Sequence, residues 1–141
     1  MKTKFSPLLS LRQRELDEFE ANLAVARQEG ARLNLELADI DTQILAQQLP
    51  KSGNSQTILI LMNQNEILRN QKAIISEKIL LNQKKINHCE LKYQNAFKEL
   101  EKVKYLNNEE IKKEIKKQKK LEEKMLDEIA VQRFFRQKEN L

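Results

Sequence analysis

The chain has 141 residues, of which 2 are Gly and 2 are Pro; 33% are charged, 40% hydrophobic and 5% aromatic, with no Trp. An average chain of this length holds roughly 17 Gly and Pro together, so a turn-rich sheet protein is excluded, and so is a globule with a large aromatic core. The formal charge of +5 allows an acidic partner without requiring nucleic acid.

Long uninterrupted helices are what this composition leaves. Disorder is the competing reading of a charged, Gly-poor chain, and the abundant Ile and Leu at regular spacing argue against it. Cys89 is the single cysteine, which excludes an internal disulfide and fits a reducing compartment. The longest apolar run, Ile58 to Met62, is far short of the roughly 20 residues a membrane span needs. Leu8, Leu9 and Leu11 are interrupted by Ser10 and Arg12, unlike a signal-peptide core. The expectation is a soluble, cytoplasmic protein without a transmembrane segment.

The first element is a helix over about residues 7–48. Ser6 is placed to cap it, and Pro7 has no amide to leave unsatisfied in the first turn. Leu9, Leu16, Leu23, Gly30, Leu37 and Ile44 fall seven apart. Phe5, Arg12, Phe19, Ala26, Leu33, Ile40 and Gln47 interleave with them. Ten of these thirteen positions are apolar, a coiled-coil seam six heptads long.

Leu49 to Ser55 contains Pro50 and Gly53 and is the one cluster of breakers, so a loop over about 49–56 is expected. A second helix follows over about 57–137. Its seam reads Leu61, Leu68, Ile75, Ile79, Asn82, Ile86, Cys89, Tyr93, Ala96, Leu100 and Val103. Asn107 with Glu110 resembles a capping box, but no Gly or Pro follows, and a continuous helix is favoured. Lys98 to Lys124 holds ten Lys and seven Glu, read as a solvated face of mixed-sign pairs. The fold class is therefore all-α: two long helices in one antiparallel coiled-coil hairpin, the second longer than the first.

A turn near Ser52 and Gly53 predicts that facing residues have numbers summing to about 105. That register sets Gly30 against Ile75, Phe19 against Ile86, and Leu16 against Cys89. It also sets Leu23 against Asn82, Leu33 against Lys72 and Ile40 against Asn65, three poor matches. The net charge of 8–48 is −4 and that of 57–97 is +3, which favours pairing of the two arms. At 1.5 Å per residue the arms reach roughly 60 and 120 Å, so the second arm is expected to outrun the first.

Candidates for chemistry are few. His88 and Cys89 are adjacent, about 100° apart on a helix, and make a poor metal or nucleophile pair. No Gly-rich phosphate loop exists. Neither cofactor, metal nor catalytic residue is expected, and the chain is read as a non-enzyme. Two apolar features lie off the seam. Ile60, Ile67, Ile74 and Leu81 form a stripe beside Leu61, Leu68 and Ile75, which reads equally as a broad seam or as a partner surface. Met125, Leu126, Ile129, Ala130, Val131, Phe134 and Phe135 gather near the end, flanked by Lys124, Arg133 and Arg136.

Lys4-Phe5 with Leu8, Leu9 and Arg12, the Leu49 to Ser55 break, and Lys124-Met125-Leu126-Asp127-Glu128-Ile129-Ala130 with Arg133 resemble the flagellar export protein family FliJ. The resemblance implies an antiparallel coiled-coil stalk in the flagellar protein export apparatus. The implied partners are the export ATPase hexamer, the cytoplasmic domain of the membrane export gate, and export chaperones. It implies a place in the cytoplasm, peripheral to the inner membrane at the flagellar base. Phe5, Leu8, Met125, Ile129 and Phe134 would form the ATPase-side tip, and Ile60, Ile67 and Ile74 the gate-side surface. The stalk of a virulence-type secretion system and a basic nucleic-acid-binding or scaffolding coiled coil are the alternatives.

Overall fold

A computed structural model describes residues 2–47 and 53–139. Two helices account for nearly all of them: α1, Ser6–Ala46, and α2, Ser55–Glu139, with no strand among the described residues. Pro50, expected in the turn, lies outside them. No described helix is long and apolar enough to cross a membrane.

The helix ends differ by a turn or less from the expected ones, for local reasons. At the start, Thr3 does the capping expected of Ser6. The Phe5 amide donates to Thr3 Oγ1 at 3.1 Å, and the Thr3 amide donates to Ser6 Oγ at 2.9 Å. This reciprocal pair is a capping box shifted three residues upstream. Pro7 then falls in the first turn, where no amide is needed. α1 closes with the Gln47 amide on the Ile44 carbonyl, a tightened last turn. Asn54 begins α2: its carbonyl accepts from Ile58 at 3.1 Å and its side chain accepts from Gln56 at 3.4 Å. α2 continues through Asn107 without interruption.

The residues divide into two compact units. One is Glu15–Ala96; the other joins Met1–Arg14 to Phe97–Leu141.

In the unit Glu15–Ala96 the two helices run antiparallel. Asp41 meets Lys72 at 2.7 Å, and Arg27 meets Glu90 at 3.1 Å. The Lys92 ammonium lies 5.8 Å from the centre of the Phe19 ring. Leu16, Leu23, Ala26, Leu33 and Ile40 are buried from α1, and Ile75, Asn82 and Ala96 from α2. Each buried Leu or Ile contributes about 1.5–3 kcal/mol, so this single seam is the main source of stability. Beside it, Arg32 bridges Glu29 and Glu36 along α1. The Arg32 hydrogen bond holds the Glu29 carboxyl below its usual range.

The seam residues are those expected, but the register is not. Gly30 does not face Ile75. A Cβ placed on Gly30 would lie 2.8 Å from Asn82 Oδ1 and 3.5 Å from Ile86 Cδ1. Asn82 Nδ2 donates to the Ala26 carbonyl at 3.2 Å. The numbers of these cross-helix partners sum to between 108 and 117, around 112 in place of 105. The difference is one heptad. Sliding a seven-residue repeat by seven returns seam to seam, so apolar periodicity alone does not separate the two registers. What separates them is Asn82. It is a misfit against Leu23, and satisfied against Gly30 and the Ala26 carbonyl.

In the unit Met1–Arg14 with Phe97–Leu141, the start of α1 lies against the middle of α2. Thr3 Oγ1 donates to Asn107 Oδ1, and Lys4 stands 4.0 Å from Glu110. Leu100 and Val103 are buried there, Leu100 at 2% exposure. Ile111 is half-buried, and every described residue from Lys112 to Glu139 is exposed.

Candidate functional site

Exposed helix surface that the chain does not cover itself is the feature available for function. In the unit containing the chain start, α2 continues for 28 residues after Ile111 with no residue buried. Met125, Ile129 and Phe134 stand on this stretch at 47–63% exposure. Leu126, Ile129, Ala130, Arg133, Phe134 and Gln137 line a shallow groove along one side of the helix. The Phe134 and Phe135 rings meet edge to face at 6.2 Å, and the Lys138 ammonium lies 5.8 Å from the Phe134 ring. Such an arrangement offers apolar and aromatic contact with a basic rim, the composition of a helix that docks into a protein groove.

Phe5 and Leu8 are half-buried at the beginning of α1. Lys4 lies 5.4 Å from the Phe5 ring, and Thr3 fixes this end at the level of Asn107. Met125 is 18 residues further along α2, about 27 Å at the helical rise. The expected ATPase-side residues therefore fall in two places: Phe5 and Leu8 at the covered level, and Met125, Ile129 and Phe134 well beyond it.

In the unit Glu15–Ala96, Ile60, Ile67, Ile74 and Leu81 are 56–60% exposed. Their neighbours Leu61 and Leu68 are half-buried, and Ile75 is buried. Stripe and seam are thus distinct surfaces. The corrected register adds a second fact. Partner numbers near 112 bring Ala46, the last residue of α1, to about the level of Glu66. Leu59, Ile60 and Met62 stand before that level, where α1 has already ended.

His88 is exposed and Cys89 half-buried on the seam. Among the described residues no three His, Cys, Asp or Glu side chains gather into a metal-sized group.

Two surfaces escaped the composition-level reading. Phe97, Tyr105 and Leu106 are exposed together beside Lys98 and Lys102. At about 100° per residue Tyr105 lies about 80° and Leu106 about 180° round the helix from Phe97, so the three span half the circumference and no single-face periodicity marks them. The other is a segregation of lysines. Of the mixed-sign pairs expected between Lys98 and Lys124, those formed are Lys102 with Glu99, Lys104 with Glu101, and Lys112 with Glu109. Beyond Lys112 the lysines form no ion pair among the described residues. Counting charges hid this, because position around the helix decides it.

No curated protein and no solved structure matches the chain. The family described as flagellar FliJ protein matches residues 1–139. With nearly the whole chain matched, the unequal helix pair belongs to the flagellar FliJ protein family, a component of flagellar protein export.

Proposed function

We propose that this chain is a non-catalytic stalk of the flagellar export apparatus. The uncovered end of α2 enters the export ATPase hexamer, with Met125, Ile129 and Phe134 as its contacts and Phe5 with Leu8 bracing the level behind them. The start of α2, through Ile60, Ile67 and Ile74, meets the cytoplasmic domain of the membrane export gate. Export chaperones are handled in the same complex, and the chain is cytoplasmic and peripheral to the inner membrane there. The observation that carries this reading is the 28-residue stretch of α2 that stays helical with every residue exposed while carrying eight large apolar side chains. An exposed apolar run of this kind, rimmed by charged residues, is the mark of a surface that a partner covers. Family membership supports the flagellar system over a virulence-type one.

A pull-down with the ATPase as bait is the direct test. Removing residues 125–141 should abolish capture while far-UV circular dichroism still reports the paired helices. Met125→Asp with Ile129→Asp should weaken capture at least about tenfold, as truncating central apolar anchors does. Undiminished capture by either variant overturns the proposal. With the gate domain as bait, Ile67→Asp with Ile74→Asp should lower capture and leave ATPase capture intact.

A further inference from the structure

We propose that the lysine-bearing side of α2 between Lys112 and Lys124 is a docking surface for an anionic lipid bilayer. This stretch holds seven lysines and no arginine. At about 100° per residue all seven fall within an arc of about 160°. Glu114 and Glu122 fall on the opposite side; Glu123 is the one acid of this stretch on the arc, and Asp127 follows beyond it. Every one of these lysines is exposed. Lys112 has a partner in Glu109 at 3.6 Å, and among the described residues the other six have none.

The arc is convex and straight, with a row of charges running about 18 Å along the helix. A flat charged surface meets such an arc along its whole length. Each lysine near an anionic bilayer adds to the attraction, and clusters of four to eight on one helix face suffice for binding. Further along the same arc stand Val131 and Phe135, both more than half exposed, and then Lys138. Aromatic and apolar side chains beside a polybasic row are what the headgroup boundary accepts. Nucleic acid fits less well. No arginine offers bidentate phosphate or base contacts, and no aromatic side chain is interleaved with the lysines for bases to stack on. The opposite face carries Ile115, Met125 and Ile129 but also Glu122, so the helix lies on its lysine side and is not inserted by its apolar side. Met125 and Ile129 then remain turned away from the bilayer, while Phe134 falls within the lysine arc, about 40° round the helix from Lys112.

Flotation of the full chain with vesicles tests this. Vesicles of about 30 mol% phosphatidylglycerol in phosphatidylcholine at about 0.1 M salt should bind it, and pure phosphatidylcholine vesicles should not. Replacing Lys113, Lys116, Lys117 and Lys120 by Gln should lower partitioning at least about tenfold, whereas replacing the same four by Arg should preserve it. Circular dichroism of the Gln variant guards against loss of fold, and its capture by the export ATPase reads the Met125 and Ile129 surface separately. The proposal is overturned by absence of binding to anionic vesicles, by equal binding of the Gln variant, or by binding to duplex DNA in place of lipid.

Discussion

Gly30 and Asn82 show how two residues settle a choice that the rest of the seam leaves open. Asn82 is 8% exposed and buries an amide among Leu and Ile, which is tolerable only because its Nδ2 reaches the Ala26 carbonyl. That reach needs the space a side chain at position 30 would fill, 2.8 Å from Asn82 Oδ1. Ordinarily Gly→Ala inside a helix gains about 1 kcal/mol. Here the added Cβ displaces the amide, and an orphaned buried polar group costs about 1–3 kcal/mol. Gly30→Ala should therefore destabilise the chain by about 1 kcal/mol in urea unfolding followed by circular dichroism. In an Asn82→Ala background the same substitution should stabilise by about 1 kcal/mol, since the obstruction has gone. The double-mutant cycle then gives a coupling of about 2 kcal/mol, and a coupling near zero would mean the two residues do not share this site.

At the scale of the helices, the same pair explains what was legible in the sequence and what was not. Both seams could be read from spacing: every position from Phe5 to Gln47 and from Leu61 to Val103 named for them is buried or half-buried. The longer second helix also followed from the distribution of breakers. The register did not, because a turn fixes register only where the helices stay paired up to the loop, whereas α2 begins about ten residues before the level where α1 ends. The signal that could have corrected it was the buried Asn. The mismatches at Leu23 and Leu33 pointed the same way, since a sum of about 112 sets them level with Cys89 and Ile79; that at Ile40 did not, since it falls level with Lys72. The apolar residues off the seam were legible, and they are exposed, but the lysine arc was not, since composition records charge without direction. The native Cys89 makes the register measurable. Leu23→Cys lies one heptad from Gly30 and so falls at the level of Cys89, and a disulfide needs Cβ atoms about 3.5–4.5 Å apart. It should oxidise to an intramolecular crosslink seen as a faster-migrating monomer on non-reducing gels. Leu16→Cys, the partner of Cys89 in the register one heptad away, should not. The reverse outcome would restore the sum of 105.

At the scale of the whole molecule, the consequence of unequal helices is an unequal distribution of stability along α2. Residues 97–107 lie against the start of α1, with Leu100 and Val103 buried, while every residue of 114–139 is exposed. An uncovered helix is held by its own hydrogen bonds and by propensity, and stretches of this kind open locally at little cost. Opening residues 97–107 requires separating Leu100 and Val103 from α1, at a cost set by their buried area. Native-state hydrogen exchange should therefore show amides in 114–139 protected only about tenfold over an unstructured chain, and those in 97–107 at least about a hundredfold more strongly. Equal protection in the two stretches would show that something covers the end of α2. Repeating the measurement after tenfold dilution identifies a second copy if protection falls. Adding the export ATPase should then slow exchange around Met125, Ile129 and Phe134 while leaving 97–107 unchanged. Anionic vesicles should slow it across 112–124. A low intrinsic stability at this end would let two different surfaces of one helix be ordered by the two proposed partners, because neither would have to displace buried contacts among the described residues.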